Sequence, residues 1–191
     1  METGDVLAPN AADASVRPAR AGDAAAMGAV QLRSWRRAYG GLMPAPLLDR
    51  LEAADLAAPW HAAVTAPPSP RHAVLVACAG AVVVGLAALA PSADPDAAGT
   101  DAELVALEVD PVHQRAGHGS RLLAAVAESA AGRGFTALRV WSPTTDGARL
   151  AFLTSAGLRP DGARRRLRSD GDGGDPSPEA VEERLAAALP A

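Results

Sequence analysis

Lysine and isoleucine are missing from this chain of 191 residues, so all 18 of its basic side chains are arginine. Without lysine there is no Schiff-base chemistry and no lysine general base. Cysteine occurs once, as Cys78 in an apolar run, which excludes an internal disulfide and suits a reducing cytoplasm. A buried structural thiol is the expected role. Tyrosine also occurs once, as Tyr39. Basic charge is in short supply as well: the net charge of −4 gives no electrostatic footprint for nucleic acid. Of the four histidines, His61 and His72 lie far apart without acidic partners, so no metal site is expected. The opening METGDVLAPN has no basic region followed by an apolar stretch, so no secretory signal is expected.

Long apolar runs are scarce. The longest uncharged one, residues 73–90, spans 18 positions, close to the ~20 a membrane helix needs. Cys78-Ala79-Gly80-Ala81 interrupts it with small residues, and Val74, Val76, Val82, Val83 and Val84 favour strands. The run therefore reads as two buried strands joined by a tight turn.

What is present is a globular composition, 49% hydrophobic and 21% charged, at a length that suits one domain. Residues 1–14 read as a disordered leader, 15–168 as the folded domain, and 169–191 as a mobile tail. Pro178-Glu179 would open a short final helix through Leu189. Within the domain a strand at Val16 and Arg17 ends at Pro18. A helix follows Gly22-Asp23, with Leu32, Trp35, Tyr39 and Leu42 on one face. Leu47, Leu48 and Leu51 begin a second. After the hairpin, residues 103–109 alternate as a strand, and Leu122, Leu123, Val126, Ala127 and Ala130 mark an amphipathic helix ended by Gly132. A strand at 135–141, a helix at 146–155 and a strand or pair of strands at 158–168 complete it. Trp35, Trp60 and Trp141 read as core, and Arg164-Arg165-Arg166 as a solvated strand edge. The order indicates an α/β (α+β) fold, a mixed and mostly antiparallel sheet flanked by helices.

The informative stretch is LVALEVDPVHQRAGHGSRLL, in which a strand turns at Asp110-Pro111 and a glycine-bearing loop opens a helix. Glycines there let backbone N–H groups approach an anion closely, and the helix dipole adds positive potential. A phosphate or pyrophosphate site follows. A Walker A loop is excluded, because it needs lysine. A dinucleotide fingerprint fits poorly, because Leu122 stands where a third small residue is needed and no ribose-binding acid ends the next strand.

The segment Val109-Asp110-Pro111…Gln114-Arg115-Ala116-Gly117-His118-Gly119…Leu122-Leu123 resembles the Q/R-x-x-G-x-G/A signature of the GNAT (N-acetyltransferase) superfamily. Residues 34–39 with Leu42-Met43-Pro44 resemble the first helix and turn of many bacterial members. Asp146 to Leu158 resembles the late helix, N-x-x-A-x-x-F-Y-x-x-x-G-F. The resemblance implies a GNAT-like fold and transfer of acetyl from acetyl-CoA directly to a primary amine. It implies backbone contacts to the cofactor from Gln114, Arg115, Ala116, Gly117, His118, Gly119, Ser120 and Arg121, pantetheine pairing along Leu107 and Val109, and a further contact at Asp146. Glu108 is the candidate base, with Glu103 the alternative on the other face of the strand. The chain departs from the pattern where Leu153 takes the place of the usual acid, Tyr, and Asp146 that of Asn. A non-catalytic acetyl-CoA-binding module on the same fold is the competing reading. Acetyl-CoA and an amine are the implied partners, without nucleic acid, metal or membrane, in the cytoplasm, and a homodimer is left open.

Overall fold

A computed structural model describes residues 14–38, 45–167 and 180–190. Residues 1–13, 39–44 with Tyr39 among them, 168–179 and 191 lie outside the described residues. The elements run β1 (Ala14–Pro18), α1 (Ala24–Ala38), α2 (Ala45–Arg50), α3 (Ala53–Thr65), β2 (Ala73–Ala79), β3 (Val82–Pro91) and β4 (Asp101–Val109). Then come α4 (His118–Ala131), β5 (Ala137–Pro143), α5 (Gly147–Ser155), β6 (Arg159–Leu167) and β7 (Ala180–Ala188).

The strands form one mixed sheet in the order β1-β2-β3-β4-β5-β7-β6. The valine-rich run folds as the antiparallel pair β2–β3, turned at Gly80 with φ 58°, a left-handed conformation that costs glycine little. Among the described residues no helix is long and apolar enough to cross a membrane. Strands β1 to β4 pair antiparallel, as do β5, β7 and β6, but β4 and β5 run parallel. That one parallel pairing spans only Asp101–Glu103 against Ala137–Arg139. Beyond it the two strands separate, and the second half of β4 has no strand on that side.

Each sheet face carries its own core. On one face Leu122, Leu123 and Val126 of α4 and Leu153 of α5 pack against Leu75, Val84, Leu104, Leu107 and Val140. On the other, Met27 and Val30 of α1 pack against Val76, Cys78 and Leu86. Fully burying each such side chain contributes about 1.5–3 kcal/mol. Helix α1 also lies hard against α3: a Cβ on Gly28 would collide with the Ala53 carbonyl and meet the Ala57 nitrogen at 2.8 Å. That close approach fixes α1 over the sheet.

Two expectations are corrected. The C-terminal segment is not a helix but β7, inserted between β5 and β6, so the folded domain extends past residue 168. Its buried residues Glu182, Arg184 and Leu185 belong to a strand paired on both sides. The three tryptophans are half-buried rather than fully inside the core, although Trp60 packs against its α1 side, because each indole meets polar company. Trp60 Nε1 donates to Gln31 Oε1 at 2.6 Å, Trp141 Nε1 donates to Asp94 at 3.1 Å, and Trp35 faces a cavity. The arginine run does lie on an edge strand, β6, where Arg165 pairs with Glu182 at 2.6 Å and stacks over Trp141.

Candidate active site

The gap between β4 and β5 opens into two adjoining cavities. The larger, about 710 Å³, runs along the end of β4 to the start of α4 and is walled by α5. That volume suits a cofactor-sized ligand. The smaller, about 140 Å³, lies against α1, β5 and β7. Glu108 and Arg149 line both.

The sheet register exposes the wall of the gap. The Asp110 N–H donates to Val84 O at 2.9 Å, and backbone groups alternate sides along a strand, so those of Leu107 and Val109 point away from β3. Side chains reach their carbonyls instead: Arg149 Nη1 donates to Leu107 O at 3.0 Å, and Gln114 Nε2 to Val109 O at 3.3 Å.

At the far end the loop enters α4 through two left-handed residues, Arg115 (φ 63°) and Gly117 (φ 79°). Gly117 offers no side-chain cap, and the first helical bond is Arg121 N–H to Gly117 O at 3.1 Å. The N–H groups of His118, Gly119 and Ser120 precede that bond and so have no partner within the helix. An open set of donors, with the helix dipole behind it, meets the larger cavity. Gln114, Arg115, Gly117, Gly119 and Ser120 line that cavity, with Leu107, Val109 and Asp146. Ala116, His118 and Arg121 do not. His118 is buried with Nδ1 unpartnered, and Arg121 turns back to donate to Ala116 O at 3.0 Å. Burial, then the Arg121 charge, holds His118 below the ordinary imidazole value. Asp146 is engaged as a helix cap, its Oδ1 accepting from the Arg149 N–H at 2.9 Å.

Glu108 accepts a short hydrogen bond from Ser34 Oγ of α1. Burial pushes its carboxyl above the ordinary glutamate value, while the Ser34 hydroxyl and the Arg149 charge pull the other way. Helix α1 is held there by a second tie: Arg33 Nη2 meets Asp110 Oδ2 at 2.5 Å. Burial opposes the Asp110 charge, but Arg33 and the Val112 N–H outweigh it and keep that carboxyl low. Glu103 is also raised, by burial and then by the Asp94 charge.

One placement differs from the sequence reading. Glu103 and Glu108 were expected on opposite faces, yet both line the smaller cavity. The register shifts so that Ala88 faces Ala106 while Leu89 faces Leu104. Val105 is thereby bulged, which returns the two glutamates to one side. On α5, the side chain facing the larger cavity is Phe152, whereas Leu153 is fully buried in the core. Neither residue is an acid. Ser34, Arg149 and Phe152 went unnoticed in the sequence. The first lay inside the quoted 34–39 motif, and the other two inside the late-helix motif.

Among the described residues no group of three His, Cys, Asp or Glu could hold a metal ion. The mixed sheet with one splayed parallel junction, and the helix N-terminus beside it, match the GNAT-like architecture that the sequence resemblance implies. The acetyltransferase (GNAT) family model matches residues 32–157, and the chain belongs to that family. It is similar in structure to the ribosomal-protein-alanine N-acetyltransferase from Brucella melitensis, at 19% identity and TM-score 0.69, covering 92% of this chain and 99% of that one. It is also similar to yncA from Salmonella typhimurium, solved with its cofactor acetyl-CoA, at 19% identity and TM-score 0.66 (93% and 95% covered). The PaiA N-acetyltransferase from Thermoplasma acidophilum, in complex with coenzyme A, matches at 17% identity and TM-score 0.64 (89% and 97% covered). No curated protein matches the sequence.

Proposed function

We propose that this chain transfers an acetyl group from acetyl-CoA to a primary amine, with Glu108 as general base. The observation that carries the reading is the junction itself. One cavity joins an uncapped helix N-terminus, the stretch of β4 backbone at Leu107 and Val109 that pairs with no strand on this side, and a half-buried carboxylate with a raised pKa. The residues fit acetyl-CoA. Gly119 and Ser120, whose N–H groups have no partner within the helix, line the cavity and would hold a pyrophosphate, and Arg115 and Arg37, also on the lining, supply positive charge. Bound there, acetyl-CoA supplies an activated acyl group on a good leaving thiolate.

The chain's own residues do the rest. Glu108 takes the proton from the acceptor ammonium, or from the amine as its nitrogen bonds to the acyl carbon. A base with a raised pKa suits this task near neutral pH. Ser34 fixes the carboxylate orientation from α1. Phe152 presents an apolar face to the cavity and has no proton to give, so the thiolate takes its proton from solvent. The acceptor enters through the smaller cavity, whose 140 Å³ admits a small amine or the end of a chain.

Acetyl-CoA is expected to raise the melting temperature while NAD and ATP do not. Binding to the folded state alone adds about 2.7 kcal/mol at a hundredfold excess over Kd. Thiol release with a panel of amines then tests transfer. No melting shift with millimolar acetyl-CoA would sink the assignment.

A further inference from the structure

The smaller cavity holds an arginine whose position the proposed chemistry leaves unexplained. Arg149 stands in the first turn of α5, where the helix dipole disfavours a cation. Its guanidinium reaches into the gap between β4 and β5 and touches both cavities. Among the described residues one of its five N–H donors is used, on Leu107 O at 3.0 Å. Among the described residues it makes no salt bridge, and Glu108, whose charge it feels, lies beyond ion-pair distance. The other arginine on this cavity is spent, since Arg165 pairs with Glu182 and stacks on Trp141. Arg149 is thus a half-buried cation with free donors, next to the base that receives the amine.

A guanidinium with free parallel donors recognises a carboxylate best. In an α-amino acid the ammonium and the carboxylate are two bonds apart, so a site for one needs an opposite charge for each, side by side. Glu108 and Arg149 form such a pair. A peptide N-terminus would bring a neutral carbonyl to the guanidinium and leave its charge unanswered. We propose that Arg149 anchors a carboxylate on the acceptor, so that the acetylated amine belongs to a free amino acid or a similarly built amino-carboxylate rather than to a peptide or protein. The proposal rests on the acetyl-transfer reading above and deepens it. A carboxylate could also arrive on the acyl group, as in a dicarboxylic acyl-CoA, and the test separates the two sources.

The full-length protein is saturated with coenzyme A and titrated with free L-amino acids, each beside its carboxamide, with binding read by thermal shift and calorimetry. At least one acid is expected to bind roughly ten- to a hundredfold more tightly than its amide. In Arg149→Met that ratio should collapse to below about threefold, and Arg149→Lys should retain part of it, since a point charge replaces the fork. Turnover should follow, with the loss falling on the acceptor KM. Amides or peptides that bind as well as free acids would overturn the proposal. So would an Arg149→Met variant that keeps the ratio but loses coenzyme A affinity, or one whose lost preference is for succinyl-CoA over acetyl-CoA. Absence of thiol release with every amine, alongside an intact acid-over-amide ratio, would instead sink acetyl transfer and leave the carboxylate site standing.

Discussion

Replacing Glu108 by glutamine tests the centre of the proposed chemistry with little change of shape. The Ser34 hydroxyl can still donate to the amide oxygen, and α1 stays tied through Arg33 to Asp110. What disappears is the acceptor for the proton. A positioned base contributes roughly 10²–10⁴-fold, which is about 3–5 kcal/mol of barrier. The expected result is a fall of that size in kcat, with the acetyl-CoA KM within about threefold. The pH profile makes the test specific. In the parent, activity falls on the acid side as Glu108 takes up its proton, at a pH above the ordinary glutamate value because burial raises its pKa. The glutamine variant should lack that limb. Stability moves in the opposite sense. The raised pKa means that the folded protein holds this proton more tightly than the unfolded chain. The parent therefore loses stability as pH rises from the ordinary glutamate value through the folded one. Glu108→Gln should escape that loss and melt no lower than the parent at pH 7. A variant of full activity, or one melting many degrees lower with its acid limb intact, would refute the assignment.

Gly117→Ala is expected to weaken acetyl-CoA binding with a modest loss of stability. Its φ of 79° disfavours a side chain by about 1–2 kcal/mol, and the new Cβ would lie 2.9 Å from Arg121 Nη1; calorimetry and melting read the two effects. Leu153→Ala should cost about 2–5 kcal/mol, because the side chain is fully buried. Leu153→Tyr should lose stability through overpacking, roughly 1–3 kcal/mol, without gaining activity, and a faster Tyr variant would show that residue 153 reaches the thiolate. Arg184→Ala should lower the melting temperature by roughly 6–12 °C, from a loss of about 3 kcal/mol. That guanidinium, 7% exposed, holds Asp94, Asp96 and Asp161 at 2.6–2.9 Å. Because Arg184 keeps the Asp96 carboxyl below its ordinary value, the deficit should shrink as pH falls below the ordinary aspartate range. An unchanged melt would mean that β7 is held without this cluster.

The loop before α4 was legible because its chemistry is local. Gly117 and Gly119 at a helix start mean exposed N–H groups wherever the helix goes, and the preceding alternation had to end where the loop begins. The hairpin was legible for the same reason, since the valines and Gly80 specify both strands and the turn between them. The position of Glu103 was not. Its separation from Glu108 is odd, and a regular strand would send the two to opposite faces. The bulge at Val105 arises from pairing with β3, which a reading of β4 alone does not contain. The burial of Leu153 was hidden in a similar way. Motif spacing fixes which residues are in the helix, but the rotation of α5 is set by the core that Leu153 enters.

The C-terminal segment shows the same limit on a larger scale. AVEERLAAA is rich in alanine, glutamate and leucine, all good helix formers, and nothing local opposes a helix. The strand form wins through partners far away in sequence. Leu185 finds a fully buried place between β5 and β6, and Glu182 finds Arg165. Arg184 finds the acids of the 92–100 loop and Asp161. Those partners also frame the smaller cavity, since Glu182, Arg165 and Trp141 all line it. Local propensity is worth up to about 0.7 kcal/mol per residue, and a strand paired on both sides, with an ion cluster around the buried Arg184, outweighs it. The wall that helps to shape the smaller cavity is therefore built by the segment whose sequence argues most strongly for another structure.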